Sequence, residues 1–316
     1  MVLWILAALT AQAAPNTSTP QWRVEDLGTL GGRSAAASAI NERGQVVGIS
    51  ATSGPEQHAF FWEGGTMTDL GTLGGRHSFA WDVNEAGQVV GGAQDAAGKT
   101  RAVRWDGGKI VDLGTLEGGE ASFALAINGR GQAVGFSQAA DGSTHAVLWD
   151  NGRIVDLGGT EAGFSYAVDI NERGEVLGMA TSSTGHEAFV WRDGQRVDVG
   201  PPAALWSSGL DINDAGQVVG SAPVVDQMKM VGYRWSSDGS VETFGLGGDV
   251  VIVAAVNQKG EAAGYGTLVS ATPTGIKATR KKGALPELPD AFQTQLVQNG
   301  ELLEEEGEPV EVHAFV

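Results

Sequence analysis

Three aspartates recur at one place in a repeating pattern. Asp82, Asp169 and Asp211 each stand two residues before an asparagine, at Asn84, Asn171 and Asn213. Carboxylates gathered at equivalent positions could hold ordered waters or a cation, and a channel-bound cation is the one cofactor the sequence suggests. A second set precedes the same asparagine column by five to eight residues: Arg33, Arg76, His77, Glu120, Phe164, Tyr166, Trp206 and Asp249. Aromatic and charged side chains round one mouth suit a sugar, a peptide or a small anion. Arg33 and Arg76 would make a positive spot on an acidic protein, which argues for an anionic or sugar ligand. Glu120 and Asp249 raise a different chemistry. Two carboxyls about 5–10 Å apart across a glycosidic bond would make a hydrolase, and the same acids could serve a lyase. Both sets also have an architectural reading, as solvated channel acids and as aromatics packed between repeats.

Other polar columns read as structure. Four residues before a recurrent tryptophan stand His58, Arg101, His145, Glu187, Val231 and Lys277. No metal or catalytic ring tolerates that mixture, so the column marks the exposed start of a strand. Asp26, Asp69, Asp112, Asp156 and Asp198 precede glycine-rich links, where an aspartate bonds its own loop amides. There is no Cys, which excludes disulfides and thiolate sites, and no H-E-x-x-H, EF-hand or G-x-S-x-G motif. No catalytic residue is assigned.

What must position these residues is a repeat. Turn asparagines fall at Asn41, Asn84, Asn128, Asn171, Asn213 and Asn257, at spacings of 43, 44, 43, 42 and 44, and tryptophans close the pattern at Trp62, Trp105, Trp149, Trp191 and Trp235. Within one period, Ser34 to Ile40, Gln45 to Ser50, His58 to Trp62 and Thr66 to Leu70 read as four short strands separated by Asn/Gly turns. Four antiparallel strands in some 43 residues predict a propeller blade, and the apolar character of both strand faces predicts neighbours on each side. Leu296 to Leu303 mimics Ile40 to Val47, and His313-Ala314-Phe315 mimics His58-Ala59-Phe60. The count is therefore seven blades, with the N-terminal strand 22–27 pairing with 312–316 to close the ring. Six blades plus a C-terminal tail is the alternative.

The Asp-Leu-Gly-Thr-Leu-Gly-Gly, Asn-x-x-Gly-Gln-Val-Val-Gly and Ala-Phe-x-Trp phrases resemble the extracellular HAF-repeat family, named for the triplet present here at His58 and His313. The resemblance covers residues 22–265 well and 266–316 poorly. It implies secretion and a repeat fold, and it brings no catalytic residues.

Residues 1–14 read as a signal peptide, an apolar run from Val2 to Leu9 followed by Ala11-Gln12-Ala13. Residues 15–21 form a linker and 22–316 a single all-β domain. The net charge of −18 repels nucleic acid and anionic membranes, and no segment is apolar for long enough to span a bilayer. The expectation is a secreted or periplasmic, monomeric, non-enzymatic module for an extracellular glycan, peptide or protein. A carbohydrate-active hydrolase or lyase, or a purely structural envelope or matrix protein, are the alternatives.

Overall fold

The computed structural model describes residues 24–158, 163–182, 185–202, 204, 206–224, 229–268 and 312–315. The signal and linker segments 1–21, Lys277 and Leu296 to Leu303 lie outside the described residues.

The described chain is all-β. The first unit is β1 (Gly31–Ile40), β2 (Val46–Thr52), β3 (Gln57–Glu63) and β4 (Thr66–Asp69), an antiparallel meander in that order. The second is β5 (Gly74–Val83), β6 (Val89–Asp95), β7 (Thr100–Asp106) and β8 (Lys109–Asp112). The third is β9 (Ser122–Ile127), β10 (Ala133–Gln138), β11 (Thr144–Asp150) and β12 (Arg153–Asp156). The fourth is β13 (Ser165–Ile170), β14 (Val176–Ser182), β15 (Gly185–Arg192) and β16 (Gln195–Val199). The fifth is β17 (Ser208–Ile212), β18 (Val218–Val224), β19 (Lys229–Trp235) and β20 (Val241–Phe244). The sixth is β21 (Gly247–Val256), β22 (Ala262–Leu268) and β23 (Val312–Phe315). Each is a propeller blade by topology, and the first strands of successive units lie side by side.

The core lies between units, not inside them. Val47 and Ala59 of the first unit pack with Ala80, Val89 and Trp105 of the second, and Leu177 and Val190 of the fourth with Val218, Tyr233 and Trp235 of the fifth. That is why both strand faces are apolar.

The two glycines of the Asn-x-x-Gly-x-x-x-Gly phrase have different causes. The first ends the turn with a left-handed backbone, at φ +74° in Gly44 and +77° in Gly131. The second sits opposite a bulge in the first strand. A Cβ on Gly135 would lie 2.0 Å from the Phe123 carbonyl oxygen, and one on Gly91 1.9 Å from that of Phe79. No side chain fits there.

The asparagines do more than form turns. Asn128 Oδ1 accepts from the Arg130 and Gln132 amides, while Nδ2 donates to Gln132 Oε1 and to the Asn171 carbonyl at 3.1 Å. The same inter-unit bond runs from Asn41 to Asn84, Asn84 to Asn128, Asn171 to Asn213 and Asn213 to Asn257. A ladder of amides thus joins six turns.

One expectation is corrected. His313-Ala314-Phe315 was read as the third strand of a seventh blade. The structure makes β23 the third strand of the sixth, with Gly264 opposite Phe315 and Tyr265 opposite Ala314. This reproduces the first unit, where Gly48 faces Phe60 and Ile49 faces Ala59. The triplet seeks a second strand of the repeat, and β22 supplies that register. Residues 24–29 belong to no strand, so the expected pairing of 22–27 with 312–316 is absent among the described residues.

Candidate functional site

The three channel acids come together, but as ties between units. Asp82 Oδ1 accepts from its neighbour Val83 N, and Oδ2 from Ile127 N of the next unit at 2.9 Å. Asp169 repeats this with Ile170 N and Ile212 N, and Asp211 accepts from Val256 N at 2.7 Å. Asp169 and Asp211 also hydrogen-bond one another. Burial pushes the Asp82 carboxyl up to about 6 against two backbone amides that lower it. Burial, and then the Asp169 charge, raise that of Asp211 as well. Among the described residues no three His, Asp or Glu side chains are arranged to hold a metal ion.

The link residues lie at the seams between units. Several reach back to the loop between second and third strands of the preceding unit. Arg76 pairs with Glu56 at 3.5 Å, and His77 Nδ1 accepts from Gln57 N. Glu120 pairs with Lys99 at 2.8 Å, a contact that lowers its pKa, and Asp249 approaches Lys229 at 4.0 Å. Trp206 packs on Gly185. The Phe164 and Tyr166 rings meet tilted at 54° with centres 5.6 Å apart, and Tyr166 packs against the core between the fourth and fifth units. Arg33 lies exposed in β1, which has no preceding unit among the described residues. Arg76, His77, Glu120 and Asp249 thus use their polar groups to tie each unit to the one before it.

Two polar columns turn out to be one device. His58 Nδ1 lies 2.8 Å from Asp69, His145 Nδ1 lies 2.9 Å from Asp156, and Arg101 lies 3.5 Å from Asp112. In the fourth unit Arg196 joins Glu187 to Asp198. Asp69, Asp112 and Asp156 also accept from the glycine amide two residues on, as their loop position implies. A column missed in the sequence is serine. Ser78, Ser122, Ser165 and Ser207 each accept from an alanine amide in the third strand of the preceding unit. Its signal was present, six residues before four of the six turn asparagines.

Ser143 Oγ lies 2.9 Å from His145 Nε2, so a hydroxyl, an imidazole and the Asp156 carboxylate stand in the order used for nucleophilic hydrolysis. The hydroxyl, however, is 2.5 Å from Asp141 Oδ1, which also takes the Ser143 amide. Its proton goes to a carboxylate and its amide is not free to hold an oxyanion. The group is a turn lock.

An open cleft of about 640 Å³ lies between the fourth and fifth units. Buried Val199 and Trp235 line it together with Pro201, Pro202 and Trp206, and Glu187, Arg192, Asp198 and Asp238 supply polar groups. The link here departs from the repeat. Counting from Gly71 and Gly200, Pro201 and Pro202 replace Thr72 and Leu73. Leu73 packs into the core between the first two units, and its amide donates to Gln94 O. Proline at that position has no N–H to donate.

No protein-family model matches the sequence, and no curated protein matches it either. Solved structures similar to it include TolB from Acinetobacter baumannii, at 14% identity over 63% of this chain and 53% of that one, TM-score 0.42. AofleA from Arthrobotrys oligospora is 13% identical over 74% of this chain and 80% of that one, TM-score 0.42. A virginiamycin B lyase from Staphylococcus aureus is 14% identical over 70% and 74%, TM-score 0.38. At such identities no function passes to this chain. Among the described residues no helix is long and apolar enough to cross a membrane.

Proposed function

We propose that the chain is a secreted, non-enzymatic propeller of the HAF-repeat kind, acting as a monomer that binds an extracellular glycan, peptide or envelope protein. The cleft between the fourth and fifth units is its binding surface. The observation that carries this reading is the cleft itself, which opens at a link that abandons the repeat while charged link residues elsewhere are spent on ties. Binding residues on a rigid scaffold are usually found in such loops. The hydrolase or lyase reading asked Glu120 and Asp249 to act together. They belong to links entering different units, and each faces a lysine. Glycan and peptide arrays probed with the full chain and with Trp206→Ala test the reading. Binding lost in the variant at unchanged melting temperature supports it, and binding retained overturns it. Turnover of any polysaccharide in an activity screen would overturn the non-enzymatic part. Secretion rests on the Val2 to Ala14 pattern, and an intact mass from the native host starting near Ala14 or Pro15 checks it.

We also propose that the ring has seven units, the seventh carrying Asn299. Asn299 follows Asn257 by 42, one period of the repeat. Both ends of the described arc ask for a neighbour. β1 is largely exposed, with Ile40 at 56%, and among the described residues Asn257 donates within its own turn, to Glu261. In a seven-unit ring Asn299→Ala lowers the melting temperature as Asn128→Ala does. An unchanged temperature leaves six units and a tail.

A further inference from the structure

We infer that the cleft between the fourth and fifth units takes a neutral saccharide, its ring lying on Trp206 with its hydroxyls facing the carboxylates of Glu187 and Asp198. This rests on the cleft being the binding surface. The volume of about 640 Å³ falls within the range of small-molecule sites. Its chemistry selects the ligand. Trp206, Pro201 and Pro202 supply apolar surface that is partly exposed or fully so. The polar groups of the same lining are already oriented. Arg196 holds Asp198 at 2.8 Å and Glu187 at 3.6 Å, and itself lies 4.6 Å from the centre of the Phe189 ring. Arg192 lies over Trp235, 5.8 Å from its centre, and donates to Ser237 O at 3.2 Å.

Both arginines are therefore occupied, and three acids face the space: Glu187, Asp198 and Asp238. A phosphate or carboxylate would meet more negative than available positive charge, so an anionic ligand is disfavoured. A purely apolar ligand would strip water from the acids without replacing it. A pyranose satisfies both sides. One ring face presents C–H groups to the indole, and its rim presents hydroxyl donors, which make strong bonds to carboxylates.

The test titrates the full chain, by tryptophan fluorescence, with methyl glycosides of glucose, galactose, mannose and N-acetylglucosamine, and with glucuronate and sialic acid. Saturable binding of at least one neutral glycoside is expected, with little change at high salt because no net charge is exchanged. Trp206→Ala should weaken it at least ten-fold and Trp206→Phe should restore most of it. Asp198→Asn, at an exposed position, should weaken it without moving the melting temperature. No binding of any neutral glycoside, binding of the acidic sugars alone, or unchanged affinity in Asp198→Asn overturns the inference. A peptide on the array that binds and is lost in Trp206→Ala overturns the saccharide while leaving the binding cleft standing. Glycoside binding that Trp206→Ala leaves intact overturns both.

Discussion

Asn41, Asn84, Asn128, Asn171 and Asn213 each make four side-chain bonds, two of them to amides of their own turn and one to the next unit. Removing one leaves buried donors and an acceptor without partners, and each such group costs about 1–3 kcal/mol. Asn128→Ala should therefore lose about 2–4 kcal/mol in urea unfolding, whereas an exposed substitution such as Lys109→Ala should stay within about 0.5 kcal/mol. Equal effects would refute the ladder. The channel acids carry a pH signature. The folded pKa of Asp82 is about 6 against an ordinary 3.8, and Asp211 is raised too, so the native state binds protons that the unfolded chain has released. Their contribution is full below about pH 4 and is lost as pH rises through the folded values. Asp211→Asn keeps an acceptor for Val256 N and a donor for Asp169. It should flatten that slope and stabilise the protein at pH 8 by roughly 1–2 kcal/mol, read from melts across pH 5–9. At this scale the sequence was legible only in part. It showed that Asn and Asp recur, because position is written in spacing. It could not show that Asp82 reaches Ile127, because a bond spanning 45 residues depends on how units stack.

At the scale of elements, four strands per period were readable from turn residues and β-branched runs, and the observed bounds differ from that reading by three residues or fewer. The bulge opposite Gly135 was not readable, although its consequence, a glycine four residues after the turn glycine, was plain in the sequence. Gly135→Ala would force a Cβ to 2.0 Å from the Phe123 carbonyl and should cost roughly 2–3 kcal/mol. Gly142→Ala, at φ +85° with open space around it, should cost about 1 kcal/mol. Equilibrium unfolding of both variants separates the two causes, and the reverse order would refute the close approach. The third-strand triplet shows the limit of local pattern. His313-Ala314-Phe315 was recognised as a third strand, but which sheet it joins is decided by the free edge of β22.

For the whole molecule, stability resides in interfaces between units, since the core clusters straddle them. Deleting residues 312–316 uncovers β22 and should lower the melting temperature by several degrees and promote aggregation through the exposed edge. Unchanged melting and solubility would show that β23 contributes nothing. Architecture was legible because a propeller writes its period into the chain. The cleft was not, because it comes from two prolines whose meaning depends on the leucine absent there.

The asparagine ladder has a direction: the first five units give an amide forward, and the second to the sixth offer a carbonyl backward. Such contacts are heterologous, and a stack built from them has two unlike ends that fit each other. A copy lacking its closing unit would find its complement on another copy as readily as on itself. Head-to-tail joining that does not turn back on its own origin makes fibres rather than rings. The tie that makes the scaffold easy to extend by duplication thus also makes completion of the circle the molecule's protection against becoming a filament.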